Sequence, residues 1–147
     1  MREATKSLIQ QYYAAFNAQH MEGFLALLSD DVVHDVNQGP REVGKTAFAR
    51  FMERMNRCYR EHIYDLEIMI NDDGSRAATE FTVLGVYLAT DEGLPEAHGQ
   101  TYRLPGGAFF EIADGKIKRI TNYYNLQDWL AQVAFQEGQA VTEEGRE

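Results

Sequence analysis

The sequence has very few of the residues that form covalent cross-links and metal clusters. Cys58 is the only cysteine among 147 residues, so an intrachain disulfide cannot form, nor can a thiolate metal cluster. Its apolar neighbours, Met55 and Tyr59 among them, predict a buried helical residue. The four histidines are scattered without metal-ligand spacing. We therefore expect neither a metal nor a cofactor.

Basic residues are also scarce, and no stretch concentrates them. The 14 Lys and Arg residues are outnumbered by 23 Asp and Glu, which gives a formal net charge of −9. This balance repels polyanions, so we expect neither nucleic acid nor an anionic membrane surface as a partner. There is no apolar run of the roughly 20 residues that a membrane span needs, and no signal peptide follows the first residues. The expected location is the cytoplasm.

Aromatic rings, by contrast, are abundant. They make up 12% of the chain, within an apolar fraction of 44%. Such a content indicates either a core built on rings or a cavity lined by them. The length suits one domain, which we place at residues 1–135. Residues 136–147 are charged and nearly free of bulky apolar side chains, so we predict a disordered acidic tail there.

The apolar pattern changes its period along the chain. Three- and four-residue spacing over 4–19, 21–28 and 45–60 predicts three amphipathic helices. Alternation over 63–70, 76–88, 100–112 and 116–124 predicts strands, with a short extended piece at 32–36 and a bulge or bend at Gly106 and Gly107. Asn125 has the features of a helix N-cap. The sequence predicts an α+β fold in which helices pack on a curved antiparallel sheet and enclose an apolar pocket.

Four stretches carry a resemblance to a known superfamily. They are His34-Asp35-Val36-Asn37-Gln38-Gly39, Asp91-Glu92-Gly93-Leu94-Pro95, Leu104-Pro105-Gly106-Gly107-Ala108-Phe109-Phe110 and Tyr123-Tyr124-Asn125-Leu126. From about Leu8 to Val133 the chain resembles the NTF2-like, SnoaL-like superfamily, which includes ketosteroid isomerase and polyketide cyclases. Within it, the chain looks most like the ketosteroid isomerase-related clade. The resemblance implies the cone-shaped NTF2-like fold.

The isomerase moves a proton next to a carbonyl with a carboxylate base and two hydrogen-bond donors. Its base lies in a Val-Glu-Asp setting that matches Asp35 here. Its donor tyrosine matches Tyr12, in the stretch from Tyr12 to Ala18. The position of its second donor, a protonated Asp, is occupied by Ala108, which cannot donate a hydrogen bond. This chain therefore lacks one of the two donors that stabilise the oxyanion in the isomerase. Losing one such donor costs about 3 kcal/mol of transition-state stabilisation.

Further residues are expected to line the pocket. Asn122 is a possible replacement donor, because it shares a strand face with Tyr124. Phe110 and Tyr124 are expected to form a floor of rings. Asp35 follows two valines, and apolar surroundings would raise the pKa of its carboxyl toward the range of a general base. His34 precedes it on the strand and would face the other side, where we expect a structural hydrogen bond.

Three functions remain open at this point, and one of them is a pure dimerisation module. The first is an isomerase- or lyase-type enzyme, or one related to the polyketide cyclases, in which Asp35 abstracts a proton and Tyr12 stabilises the enolate. The second is a non-catalytic carrier or sensor for a hydrophobic metabolite, which the alanine at position 108 favours. With either function we expect a homodimer formed through the outer sheet face, with rings such as Tyr87, Tyr102 or Tyr123 exposed on it.

Overall fold

A computed structural model describes residues 1–134 of the chain. The helices are α1 (Arg2–Ala18), α2 (Met21–Leu25) and α3 (Lys45–Cys58), and residues 126–134 form a further helical segment. The strands are β1 (Leu28–Asp35), β2 (Arg41–Val43), β3 (Tyr59–Ile70), β4 (Arg76–Tyr87), β5 (Thr101–Ala113) and β6 (Lys116–Tyr124). The α+β prediction, with helices first and long strands after, is confirmed. The predicted tail at 136–147 lies outside the described residues.

All six strands belong to one sheet, in the order β2-β1-β6-β5-β4-β3. The pairs from β3 to β6 are antiparallel hairpins, and β2 also pairs antiparallel with β1. The pair between β1 and β6 is parallel, which the sequence analysis did not foresee. This parallel pair joins the short N-terminal strands to the long C-terminal hairpins.

The sheet curls around α3. This helix contacts β1 and β2 at one edge of the sheet and β3 at the other. It does so because its apolar stripe, which includes the buried Phe48, Met52 and Cys58, lies on the concave side of the sheet. Helix α1 packs against β3. No helix among residues 1–134 is long and apolar enough to cross a membrane.

The two faces of the sheet are distinguished by register. Phe110, Ile120 and His34 lie side by side on β5, β6 and β1, and they are 0%, 0% and 2% exposed. We call the face that they share, which is covered by the helices, the inner face. The next position along each strand carries Phe109, Thr121 and Asp35, and we call this side the outer face.

Strand β3 departs from the simple alternation that was predicted. Helix α3 ends at Cys58, and β3 begins at the next residue. Asp65 adopts a left-handed conformation, with φ of 55°, where the register with β4 shifts. This bulge inserts an extra residue. Tyr64 is consequently 45% exposed, whereas Leu66 packs against the core, so the prediction of one shared face for the two is wrong.

The glycines in β5 do not interrupt the sheet. A bulge or a bend was predicted at Gly106 and Gly107, but pairing with β4 continues without a shift through Pro105, Gly106 and Gly107, so there is no bulge there. A Cβ atom on Gly106 would lie 2.6 Å from Cε1 of Phe81. The glycine therefore makes room for a ring on the neighbouring strand. The predicted cap at Asn125 is confirmed, because its Oδ1 accepts a hydrogen bond from the backbone N–H of Asp128 at 3.0 Å.

Candidate active site

Asp35 does not lie inside the cone. Arg41 stands opposite it on β2 and donates from Nε to Oδ1 at 2.6 Å and from Nη2 to Oδ2 at 3.1 Å. The hydroxyl of Thr121 also donates to Oδ2, at 2.6 Å. The hydrogen bond from Arg41 is the main reason why the pKa of this carboxyl is lowered. The expectation of apolar walls and a raised pKa is wrong, because the strand turns Asp35 to the outer face.

Asp35 belongs instead to a network of charged groups that crosses the sheet. Arg119 on β6 donates to Thr121 and also to Oε2 of Glu111 on β5, the latter at 2.7 Å. Arg41, Asp35, Arg119 and Glu111 thus connect four neighbouring strands, β2, β1, β6 and β5. The network bridges the parallel pair of β1 and β6, and its role is structural.

His34 takes the inner position that was expected for Asp35. Its ring stacks on Phe48 with 4.1 Å between the ring centroids, and the Phe51 ring approaches it edge-on at 4.7 Å. Burial lowers the pKa of His34 to about 4, against the opposing effect of the nearby Asp35 charge. The imidazole is therefore neutral at neutral pH. A neutral imidazole can accept a proton.

Glu42 lies directly opposite His34 across the pair of β1 and β2. Nδ1 of His34 and Oε1 of Glu42 are 3.8 Å apart, and both atoms are occluded from solvent without a hydrogen-bond partner. The structural hydrogen bond expected for His34 is thus absent at Nδ1. A proton on Nδ1 would point at the carboxylate and leave Nε2 free as a base. Nε2 has no hydrogen bond among the described residues either, but it is not one of the occluded atoms.

Tyr12 presents a phenol to the same interior. Its ring packs against Phe24 at 4.7 Å and Phe110 at 5.5 Å, and the residue is 6% exposed. Burial, and next the neighbouring Tyr13, raises the pKa of Tyr12, so the hydroxyl stays protonated and can donate. It makes no hydrogen bond to the described residues and is not among the occluded polar atoms. Tyr13, by contrast, shares a hydrogen bond with Thr79 at 2.8 Å.

Asn122 provides a second free donor. It stands opposite Ala108 in the pair of β5 and β6, on the inner face and partly buried. Its amide forms no hydrogen bond within the described part of the chain and is likewise absent from the occluded groups. Ala108, which is 1% exposed, offers no side-chain hydrogen bond to this amide.

The fold brings these groups together. Tyr12 rests on Phe110, and Phe110, Ile120 and His34 occupy three adjacent strands. Neighbouring strands are about 4.8 Å apart, so Phe110 and His34 are separated by roughly 10 Å, a distance that a small ring compound can span. Five of the predicted site residues therefore converge on one patch of the inner face: Tyr12, His34, Ala108, Phe110 and Asn122. Asp35 and Tyr124 do not join them.

Tyr124 belongs to a second group of polar side chains that sequence reasoning missed. Burial and the charges of Glu61 and Asp91 raise the pKa of its phenol. The Tyr102 hydroxyl donates to Oε2 of Glu61 at 2.5 Å, and the Tyr59 hydroxyl donates to Oδ2 of Asp91 at 2.8 Å. The sequence contains one indication of this group. Gly85 lies within a long apolar strand, where a glycine often marks the close approach of another group to the backbone.

The outer face carries other features. Tyr87 and Tyr102, which we expected to be exposed there, are 0% and 4% exposed on the inner face, so that expectation is wrong. Tyr123 does lie on the outer face and is 55% exposed. A groove of about 670 Å³ also runs along β3, β4 and β5; its lining includes His62 and Arg103 of the outer face as well as Glu61, Gly85 and Tyr102. Within residues 1–134, no three His, Cys, Asp or Glu side chains are grouped to hold a metal ion.

Comparison with known proteins agrees with this architecture. A structure of a candidate polyketide cyclase from Pseudomonas putida is 67% identical over 88% of this chain and 97% of its own, with a TM-score of 0.86. Candidate polyketide cyclases from Xanthomonas campestris and a Silicibacter species are 57% and 52% identical, each with a TM-score of 0.87. They match 90% and 89% of this chain and 98% and 96% of their own. No curated protein matches.

The model of the SnoaL-like domain matches residues 9–120. This span holds α2, α3, the greater part of α1 and most of the sheet, including Tyr12, His34 and Ala108. The chain therefore belongs to the SnoaL-like domain family.

Proposed function

We propose that the protein is an isomerase-, lyase- or cyclase-type enzyme that abstracts a proton next to a carbonyl group of a small, largely apolar compound. His34 is the base in this proposal, in place of Asp35, and Tyr12 and Asn122 donate hydrogen bonds to the developing oxyanion. One observation carries the proposal. Among residues 1–134, the imidazole Nε2, the phenol and the amide have no hydrogen-bond partner, and all three lie on or against the inner face near Phe110 and Ile120. None of the three is occluded from solvent, and accessible polar groups that converge beside apolar side chains favour a ligand.

The reaction follows from the positions of these groups. Nε2 of His34 takes the proton from the carbon next to the carbonyl, and the electrons of the C–H bond form a carbon–carbon double bond. The carbonyl π electrons move to oxygen, where Tyr12 and Asn122 stabilise the negative charge. The imidazolium that forms still carries a proton on Nδ1, which is directed at the carboxylate of Glu42. If the 3.8 Å between Nδ1 and Oε1 of Glu42 shortened to a hydrogen bond, the carboxylate would stabilise the imidazolium.

The enolate can then proceed in three ways. A proton returned at another carbon completes an isomerisation. Loss of a hydroxyl group from the next carbon, with a proton, completes a dehydration. Attack on a second carbonyl carbon of the same molecule closes a ring. Since all three share the first proton transfer, they share the same test.

The lowered pKa of His34 favours a particular kind of substrate. A base whose conjugate acid has a pKa of about 4 is unprotonated at neutral pH but intrinsically weak. Proton transfer is efficient when the two pKa values are not far apart, so the base suits a carbon acid whose C–H is activated by a second carbonyl group or an aromatic ring in addition to the first carbonyl. A polyketide chain has such carbons, which agrees with the candidate activity of the relatives from Pseudomonas and Xanthomonas.

Deuterium exchange tests the proton transfer without knowledge of the substrate. The probe is β-tetralone in D₂O, whose protons next to the carbonyl are followed by proton NMR. We expect the protein to accelerate exchange over buffer, and His34→Asn to return the rate to that of buffer. Tyr12→Phe should slow the exchange about 100-fold, the usual effect of one lost oxyanion donor.

The matched controls are His62→Asn and Tyr64→Phe, which change the same residue types on the exposed outer side of β3. They should keep the rate of the unmodified protein. Full activity in His34→Asn would overturn the assignment of the base. If the protein binds β-tetralone and exchanges none of its protons, the carrier function is the better account.

A further inference from the structure

The groove along β3, β4 and β5 has an apolar floor between two basic sides. Arg60 and His62 stand on the outer side of β3, and Arg103 stands on the outer side of β5. Leu84 and Val86 of β4 lie between them and are partly buried. Pairing places His62, Leu84 and Arg103 in one row across the sheet. From β5 to β3, the groove therefore presents a basic, an apolar and a basic position.

The basic side chains are exposed and lack an acidic partner. In the described part of the chain, the guanidinium groups of Arg60 and Arg103 form no ion pair and no hydrogen bond. The ring of His62 contacts that of Tyr64, with 4.5 Å between the centroids. Glu61, the acidic residue of the lining, stands on the inner side and accepts a hydrogen bond from a tyrosine hydroxyl at 2.5 Å. The two arginines are therefore available to an anionic partner, although the chain has a net charge of −9.

The described residues end beside this groove. Gln132 belongs to the lining, and its amide donates to the backbone oxygen of Arg103 at 2.8 Å and accepts from the backbone N–H at 2.9 Å. Strand β6 does not extend this far, since its last residue, Tyr124, pairs with Gly106. Gln132 thus takes the place of a neighbouring strand at this edge of β5. The point at which residues 135–147 are attached lies two positions beyond it, at one end of the groove.

The sequence of residues 135–147 complements the groove. It contains four glutamates and one arginine. Glu137 comes first, and the apolar Val141 follows it. Glu143 and Glu144 come next. The segment therefore presents acidic, apolar and acidic positions in the order in which the groove, starting from β5, presents basic, apolar and basic ones.

The lengths of the segment and the groove also agree. Neighbouring strands are about 4.8 Å apart, so Arg103 and His62 are separated by about 10 Å. An extended chain covers about 3.3 Å per residue, so the six positions from Glu137 to Glu143 reach up to about 20 Å. Glu137 follows Gln132 by five positions, which is enough chain to pass around the edge of β5. The segment can cross the groove with several residues to spare.

We propose that the acidic segment 135–147 docks in this groove of its own chain. Glu137 pairs with Arg103, Val141 packs on the apolar floor, and Glu143 lies at the basic side on β3. Exposed ion pairs contribute little individually, so the attachment is essential to the docking. It supplies the segment at an effective concentration on the order of 1 mM.

Docking leaves other parts of the protein accessible. The proposed reaction uses the inner face, whereas the segment covers residues of the outer face. The exposed Phe109 lies six residues beyond Arg103 on β5, roughly 20 Å away, so that end of the outer face stays open. The inference therefore does not depend on the proposed function.

Backbone order parameters of the ¹⁵N-labelled full chain supply the test. We expect values above about 0.6 for residues 137–144 at low salt, and values below about 0.6 after Arg103→Glu. High salt should lower the values in the same way, because it screens ion pairs between exposed charges. Adding Glu137→Arg to Arg103→Glu exchanges the two charges and should restore the order.

Lys6→Glu is the matched control. It makes the same change of charge at an exposed position on α1, outside the lining of the groove. The order parameters of residues 137–144 should be the same in this variant as in the unmodified protein. A decrease equal to that of Arg103→Glu would show that net charge, and not the groove, governs the segment.

A spin label shows where the segment lies. The label is attached to Thr142→Cys, since the native Cys58 is only 1% exposed and is protected from the reagent. The amide signals of His62 and Leu84 should broaden strongly. The signal of Arg76, roughly 25 Å from Leu84 along β4, should broaden far less.

Three results would overturn the inference. The first is order parameters below about 0.6 throughout residues 137–144 of the unmodified protein. The second is equal order in the unmodified protein and in Arg103→Glu. The third is broadening away from His62 and Leu84, or order that is lost on dilution, which would place the segment on a second copy of the chain. Deuterium exchange is not involved in any of them, so the proposed function can fail without the docking.

Discussion

Gly85→Ala should be among the most damaging single-methyl changes in the sheet. The added Cβ would lie 2.3 Å from Cζ of Tyr102, more than 1 Å inside ordinary contact. The backbone of β4 is paired on both sides, so the Tyr102 ring must move instead. A shift of that size breaks its 2.5 Å hydrogen bond to Glu61.

The magnitude follows from these two effects. Overpacking of this kind costs about 1–3 kcal/mol, and leaving a buried carboxyl without its partner costs about 1–3 kcal/mol more. We therefore expect a loss of about 3 kcal/mol in the free energy of unfolding, measured by urea titration. Domains of this kind are stable by about 5–15 kcal/mol, so the variant still folds.

A double-mutant cycle makes the prediction specific. In a Tyr102→Ala background the methyl group meets no ring, and Gly→Ala within a strand should then be neutral or stabilising by up to about 1 kcal/mol. Gly39→Ala, where the nearest atom is at an ordinary 3.5 Å, serves as the control and should be nearly neutral. The reasoning is refuted if Gly85→Ala costs the same in both backgrounds, or if it costs less than about 1 kcal/mol alone.

Four further outcomes are expected. Asp35 has a lowered pKa, so its ion pair stabilises the fold above the usual value of about 3.9 and loses that effect as the pH falls; Asp35→Asn should lower the urea midpoint at neutral pH, and the difference should shrink as the pH falls below about 3.9. His34 is neutral when folded, with a pKa of about 4, so stability should fall as the pH drops from about 6.5 toward 4, and NMR should show no protonation of His34 above about pH 5. Tyr13→Phe removes the buried hydrogen bond to Thr79 and should cost about 1 kcal/mol in urea unfolding. If the chain pairs through its outer face, Phe109→Lys, at a position 48% exposed, should convert a homodimer to a monomer in light scattering.

The order of elements was predictable because periodicity is a local property of the sequence. Helical spacing gave way to alternation at about residue 60, and the structure changes from α3 to β3 at Tyr59. The burial of Cys58, at 1% exposed, followed from its apolar neighbours. Short strand β2 was missed, because three residues after Pro40 carry too little pattern to indicate a strand.

Which residues of β1 face inward was not predictable in the same way. His34 and Asp35 were expected to face opposite sides, and they do, but the choice of which one faces inward was wrong. The preceding Val32 and Val33 are both apolar, so they suit either face. The pairing of β1 with β6 and the contact of His34 with Phe48 determine that His34 faces inward. Both are contacts between residues far apart in the sequence.

The same limit applies to the polar side chains around Tyr102. Tyr87 and Tyr102 lie on strands in which both faces carry apolar residues, so alternation did not show that they are buried. Glu61 was missed for another reason. Its importance depends on the row it forms with Gly85 and Tyr102, and residues 61, 85 and 102 are brought together by pairing across two hairpins.

A crystal structure with bound β-naphthol tests the central claim most directly, because naphthol imitates the flat enolate of β-tetralone. The account predicts the naphthol oxygen within about 2.6–3.2 Å of both the Tyr12 hydroxyl and the Asn122 amide nitrogen. It also predicts that Nε2 of His34 lies over the ring carbon next to the one that bears oxygen. Naphthol bound in the outer groove beside His62 and Arg103, with the inner face unoccupied, would contradict it.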